Sequence, residues 1–382
     1  MKYRALIAVI IIFVFVVVGG IITSTRIGSK ANLPSLNALI QTQPLMPDMD
    51  LPVLGTLPKI EGIAAWINTG GINQDDLKNK VVLVDFMTYS CINCIRTFPT
   101  LNRWYDKYHR SGLVMIGIHT PEFDFEKKQD SVQRAVNDYG IKFPVGLDND
   151  YKTWNNFQNR FWPATYLFDR TGALRYTHFG EGNYEVTEAA IQELLDTDEE
   201  ITNSSSPDFK KIASPETYFG WKRADRYAGN IDIDANDRAL YEFPTYLPKN
   251  NWALQGGWTV FKEYALADGP SRLQFRFDAP KVYFVLAPET AKQTKVNVRL
   301  DGQWVPKQYA GADVSVESTT DRSYVTIEYP QLYELLANIE GEHTIELEFL
   351  EPNSKVYSIT FGAGEKPTTS EQPAAPTEVK PQ

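Results

Sequence analysis

Apolar positions along the chain fall into three patterns. The first is Ala5 to Ile22, an uncharged run of 18 residues dominated by Ile and Val and preceded by Lys2 and Arg4. As a helix rising 1.5 Å per residue it extends about 27 Å, close to the roughly 30 Å hydrocarbon core of a bilayer. It is longer than the roughly 7–15 apolar residues of a cleavable secretory signal, and no Ala-x-Ala site follows it. The run predicts an uncleaved signal anchor and transmembrane helix over residues 1–25, with a cleaved signal as the alternative. A tether with several prolines follows over 26–55. Lys2 and Arg4 before the run against Arg26 and Lys30 after it orient the span only weakly. Every folded segment lies after it, so the simplest topology is a single-pass membrane protein with its body on the extracytoplasmic side.

The second pattern, over 56–198, alternates strand and helix. Val81 to Phe86 and Leu113 to Ile118 are short apolar runs suited to buried strands. Between them Ile95, Phe98, Leu101, Trp104, Tyr105 and Tyr108 recur at helical spacing, and a polar helix pattern runs from about Phe125 to Tyr139. Ala164–Asp169 and Leu174–Phe179 predict a hairpin across Arg170-Thr171-Gly172, and a closing helix follows over about 185–195. This is an α/β domain with parallel and antiparallel strand pairs. A polar linker over 199–213 separates it from the third pattern, over 214–362. There, stretches such as Leu273-Gln274-Phe275-Arg276-Phe277 alternate with period two. They predict an all-β sandwich, of jelly-roll type. Residues 363–382, rich in Pro, Thr and Glu, predict a disordered tail.

Composition narrows the function. The chain has 43% hydrophobic and 13% aromatic residues, which excludes a mainly disordered protein. Its net charge of −10 and the lack of a basic run argue against a nucleic-acid partner. Four scattered histidines and two cysteines make a structural zinc site improbable, and no cofactor or metal is expected. The two cysteines, Cys91 and Cys94, stand three positions apart where a buried strand gives way to a helix. A helix N-terminus favours a thiolate at the first cysteine. Two intervening residues leave the second sulfur close enough to resolve a mixed disulfide. Cys91 is therefore read as the attacking thiol and Cys94 as the resolving one. A static bridge closing so short a loop would constrain little of the unfolded chain.

The segment Val84-Asp85-Phe86-Met87-Thr88-Tyr89-Ser90-Cys91-Ile92-Asn93-Cys94 resembles the redox motif of membrane-anchored thioredoxin-like proteins of the TlpA type. It is more similar still to the exported C-terminal region of DipZ-type cytochrome c biogenesis proteins. The likeness continues through His119-Thr120-Pro121-Glu122-Phe123, Leu147 to Tyr151, Trp162-Pro163-Ala164 and Phe179 to Gly182, and covers roughly 55–200. It is weaker across the C-terminal β-domain. DipZ proteins carry a multi-span domain upstream, whereas a single span is expected here, and Met87 stands where the family usually has Trp. The resemblance implies a thioredoxin-like fold and a cis proline at Pro163, where Trp162 and Pro163 would dock an extended substrate. It also implies a buried acid at Asp85 to take the proton from Cys94, and a further acid, Glu122, near the disulfide. His119 is read as structural.

The leading expectation is an extracytoplasmic thiol–disulfide oxidoreductase that reduces exported proteins, with apocytochrome c as one candidate and a membrane electron donor. Ile92 and Asn93 place no positive charge between the cysteines, which gives no reason for a strongly oxidising pair. Two other classes remain open. Thr88, three residues before Cys91, is similar to the Thr-x-x-Cys of peroxiredoxins and admits a thiol peroxidase. Trp221, Trp252, Trp258 and Trp304 admit an adhesion or glycan-binding protein whose β-domain resembles carbohydrate-binding sandwiches and whose redox fold is vestigial.

Overall fold

The computed structural model describes residues 50–201 and 212–363. The predicted anchor, the tail and most of the tether and linker lie outside these residues. Among the described residues no helix is long and apolar enough to cross a membrane.

Seven strands form the first sheet. They are β1 (Gly55–Thr56), β2 (Trp66–Ile67), β3 (Val81–Met87), β4 (Leu113–His119), β5 (Val145–Leu147), β6 (Ala164–Phe168) and β7 (Ala173–Phe179). Four helices accompany them: α1 (Ile92–Tyr108), α2 (Gln129–Asp138), α3 (Lys152–Asn156) and α4 (Tyr184–Leu195). The strand order is β1-β7-β6-β3-β4-β5-β2. Pairing is parallel from β3 through β4 to β5, and antiparallel from β3 through β6 and β7 to β1. All seven residues of β3 are buried because alternate side chains enter different cores. Val81, Leu83 and Met87 join Phe98, Leu101 and Trp104 of α1, whereas Val82, Val84 and Phe86 join Trp154, Phe157 and Tyr166. A strand covered on both faces must be apolar throughout, which explains the run in the sequence. The β6–β7 hairpin turns as expected. The Asp169 carboxylate accepts from the Thr171 and Ala173 amides at 2.8 and 3.1 Å, and Gly172 takes the positive φ of 81° that the turn needs.

The C-terminal part is all β. Its strands are β8 (Thr217–Tyr218), β9 (Arg238–Tyr241), β10 (Trp252–Val260), β11 (Ala265–Asp278), β12 (Lys281–Pro288) and β13 (Thr294–Leu300). Then come β14 (Gln303–Trp304), β15 (Val314–Val316), β16 (Ser323–Ile327), β17 (Gln331–Leu336), β18 (Glu342–Phe349) and β19 (Ser354–Gly362). All twelve are hydrogen-bonded into one sheet. β11 is the corner. Ala265–Ala267 pairs with β19, whereas Ser271–Asp278 pairs with β18, and Gly269-Pro270 lies between. A strand that changes partners along its length folds the sheet over on itself. The result is a near-barrel around Trp252, Trp258, Phe275 and Phe284.

The two parts share apolar contacts. Val285, Ala287 and Tyr357 of the β-domain join the core cluster that contains Phe98 and Phe123. The Tyr357 ring stands 5.0 Å from Phe123 and 4.8 Å from Phe125, both edge-to-face. The segment after β4 is therefore held between the two domains.

Candidate functional site

The site grows from the junction of β3 and α1. β3 delivers the chain to Thr88, and Cys91 caps α1 in an extended conformation, its carbonyl accepting from the Ile95 amide at 3.0 Å. Cys91 therefore stands at the N-terminus of a 17-residue helix, the positive end of its dipole, without a side-chain hydrogen bond to the cap amides. Both cysteines are free thiols, Cys91 partly exposed and Cys94 buried. The Cys94 thiol is pushed well above its ordinary range, mainly by burial, then by its hydrogen bond and electrostatic coupling to Cys91, with a smaller push from the Asp85 charge. One sulfur meets solvent and the other is stored as a protonated thiol behind it.

Asp85 stands in the middle of β3, completely enclosed. One carboxylate oxygen accepts from the Thr165 hydroxyl at 2.8 Å, and the other has no partner. Burial pushes this carboxyl up to about 7. Glu122 lies at the cleft in front of Cys91, but its carboxylate is engaged from across the domain boundary. It accepts from the Tyr218 hydroxyl at 2.8 Å and from Arg223 at 2.7 Å. The Trp162–Pro163 peptide is cis. The Trp162 indole donates to the Thr120 carbonyl at 3.1 Å and packs 4.3 Å from Trp154, so its face is fixed at the cleft. His119 is buried and stacks on Tyr89, and burial lowers it to about 3.

Three features escape the sequence. Glu126 reads there as part of a polar helix, yet it closes a short 3-10 turn, Asp124–Lys127, and is fully buried. One of its oxygens accepts from the Thr88 and Ser90 hydroxyls at 2.5 and 2.6 Å, and the other from the Glu122 and Phe123 amides at 2.5 and 3.0 Å. It ties the redox loop to the segment after β4, and burial pushes its carboxyl up to about 7. Arg96 is the second. Its guanidinium bonds Asn93 at 2.7 Å and Glu181 at 2.5 and 2.8 Å, within electrostatic reach of Cys91. The sequence shows no cation between the cysteines, but the helix turn brings one beside them. The third is the β-domain, whose Glu216, Tyr218, Arg223 and Phe361 form one side of a cleft of about 570 Å³. Cys91, Ile92, Phe161 and Trp162 form the other.

Other chemistry fits less well. Among the described residues no group of His, Cys, Asp and Glu is arranged to hold a metal ion. The Thr88 hydroxyl is buried and spent on Glu126. Trp252 and Trp258 are fully enclosed in the β-domain core and present no face to a sugar, whereas Trp221 is 40% exposed.

Comparison with known proteins agrees with this geometry. Residues 47–177 match the AhpC/TSA family, and residues 214–362 match the family described as thioredoxin like C-terminal domain. The chain is 41% identical over 244 residues to the protein DipZ of Mycobacterium bovis, which covers 61% of this chain and 35% of that protein. It thus spans about a third of that relative's length. It is 30% identical over 123 residues to the thiol-disulfide oxidoreductase ResA of Bacillus thuringiensis, covering 32% of this chain and 68% of ResA. To the thiol-disulfide oxidoreductase YkuV of Bacillus subtilis it is 27% identical, over 36% of this chain and 93% of YkuV.

Proposed function

The chain belongs to the TlpA-like family of thioredoxin-fold thiol–disulfide oxidoreductases, and on that premise we propose that it reduces disulfides in exported proteins through Cys91 and Cys94. The observation that carries this reading is the asymmetry of the two sulfurs: Cys91 partly exposed at a helix start and a cleft, Cys94 buried beside Asp85. In the reaction, the Cys91 thiolate attacks one sulfur of a substrate disulfide. A mixed disulfide forms, and the other substrate sulfur leaves as a thiolate that takes a proton from solvent. Cys94 then gives its proton to Asp85 and attacks the Cys91 sulfur, releasing the second substrate thiol. The substrate gains two electrons and the protein is left with a Cys91–Cys94 disulfide. An external dithiol donor on the membrane returns the pair to the reduced state. Glu126 positions the loop, and Trp162 and Pro163 dock the substrate chain.

The same reading extends to the rest of the chain. The run Ala5–Ile22 anchors it in a membrane, residues 56–198 form the redox domain, and residues 214–362 form a jelly-roll-like sandwich joined at β11. The domains then face the extracytoplasmic side, where apocytochrome c is one candidate substrate class. The match to the AhpC/TSA family keeps a peroxidase as the second reading. That reading needs the Thr88 hydroxyl beside Cys91, and its hydrogen bond to Glu126 favours dithiol exchange instead. The reduction potential of the protein, with insulin reduction set against peroxide turnover, tests the proposal. A potential near the roughly −270 mV of thioredoxin and insulin turnover are expected. A potential near about −120 mV would reverse the direction, and peroxide turnover alone would replace the reaction.

A further inference from the structure

Polar side chains that join the β-domain to the mouth of the redox cleft converge on one carboxylate. Glu122 receives both the Tyr218 hydroxyl and the Arg223 guanidinium, and Tyr218 also lies 2.9 Å from Glu216. The Arg223 guanidinium stacks 3.6 Å above the Tyr218 ring and 5.2 Å from Phe123. Behind this contact the Asp124 amide donates to Glu263 at 3.0 Å, and Tyr357 packs against Phe123 and Phe125. An ion pair alone at such a boundary would hold little. Joined to a cation–π stack and an aromatic cluster, it fixes the wall in place.

A fixed wall limits what reaches Cys91. The open cleft, about 570 Å³, is of the size that takes a small ligand or a few residues of chain. Of its charged groups, Glu122 pairs with Arg223 and Arg96 with Glu181, and the other two, Glu216 and Arg160, are opposite in sign, so the cleft makes no strong demand for a ligand of one charge. Ile92, Phe161, Trp162 and Phe361 give it apolar faces, and Phe161 is 52% exposed. We propose that the β-domain is the far wall of the substrate site. The redox centre then accepts a disulfide carried on an extended polypeptide segment with apolar neighbours and refuses one on the surface of a folded domain. Tyr218 and Arg223 are its specificity-determining residues. This inference rests on the redox reading above and adds the substrate class to it.

The test uses the full chain and three substrates: hydroxyethyl disulfide, an unstructured peptide with one disulfide, and a folded protein with the same disulfide segment on its surface. In the wild type, kcat/KM for the peptide should exceed that for the folded protein by about a hundredfold or more. Arg223→Ala, which removes a side chain of the wall and its pairing with Glu122, should reduce that ratio by about tenfold or more. Glu216→Trp narrows the cleft from an exposed position. It should lower the peptide rate relative to that for hydroxyethyl disulfide by a similar factor. A wild-type ratio near one, or ratios in both variants within about twofold of wild type, would overturn the inference. A wild type that exchanges with none of the three substrates would instead remove the redox reading beneath it.

Discussion

Asp85→Asn changes one oxygen for an amide nitrogen in the most enclosed part of the redox domain, and its consequences can be worked out from burial. In the folded protein this carboxyl is pushed from its ordinary 3.8 up to about 7. Between those values the native state holds a proton that the unfolded chain has lost. A raised carboxyl of this kind contributes stability that is complete below about pH 4 and is lost as pH rises toward 7. At about 1.4 kcal/mol per pH unit the loss amounts to about 4 kcal/mol. Glu126, raised from 4.5 to about 7 by burial, adds about 3 kcal/mol in the same direction. Buried His119, lowered to about 3, works in the opposite direction below about pH 6.5. The clean readout is therefore a difference: in urea denaturation from pH 4 to pH 8, Asp85→Asn should lose about 4 kcal/mol less than wild type as pH rises. In the proposed reaction the same substitution removes the proton acceptor for Cys94. Resolution of a preformed mixed disulfide should slow by about a hundredfold or more and lose its inflection near pH 7, while the first attack by Cys91 changes less. Rapid-quench alkylation separates the two steps. A variant with the wild-type pH slope in stability and the wild-type resolution rate would refute the reasoning at both points.

Other predictions follow from the same structure. In the reduced protein Cys91 should be alkylated at least about tenfold faster than Cys94, because one thiol reaches solvent and the other is enclosed and held protonated; iodoacetamide labelling of the two single Cys→Ser variants reads this. Glu126→Ala leaves the buried Thr88 and Ser90 hydroxyls and two backbone amides without their acceptor. It should cost about 3 kcal/mol or more in chemical denaturation, and Glu126→Gln should recover part of that. Trp252→Ala empties a fully buried position in the β-domain core. It should destabilise the protein by about 3–5 kcal/mol, measured by the same method, without changing the reduction potential of the cysteine pair.

What the sequence discloses is what short-range chemistry determines. The β3 run is apolar because both faces are covered, and the resemblance places a buried acid within it, Asp85. Cys91 and Cys94 bracket a helix start, and the turn at Asp169–Gly172 carries its own hydrogen-bonding side chain. Glu126 is illegible for the opposite reason. In sequence it sits among Asp124, Lys127 and Lys128 and reads as a solvated face, and only the approach of the redox loop, 36 to 38 residues earlier, gives its carboxylate partners. The wall of the cleft is more remote still. Tyr218 and Arg223 meet Glu122 across 96 and 101 residues, and nothing in either segment marks the other. Glu122 lines the same cleft as Cys91, while its principal partners belong to a domain whose alternation shows only that it is β.

The central claim is that Cys91 attacks and Cys94 resolves. It is tested most directly by mass spectrometry of Cys94→Ser and Cys91→Ser, each incubated in the reduced state with a disulfide-bearing peptide. Cys94→Ser should accumulate a one-to-one mixed disulfide through Cys91, which dithiothreitol releases, and Cys91→Ser should accumulate almost none. Equal trapping by both variants, or trapping through Cys94 alone, would contradict the claim.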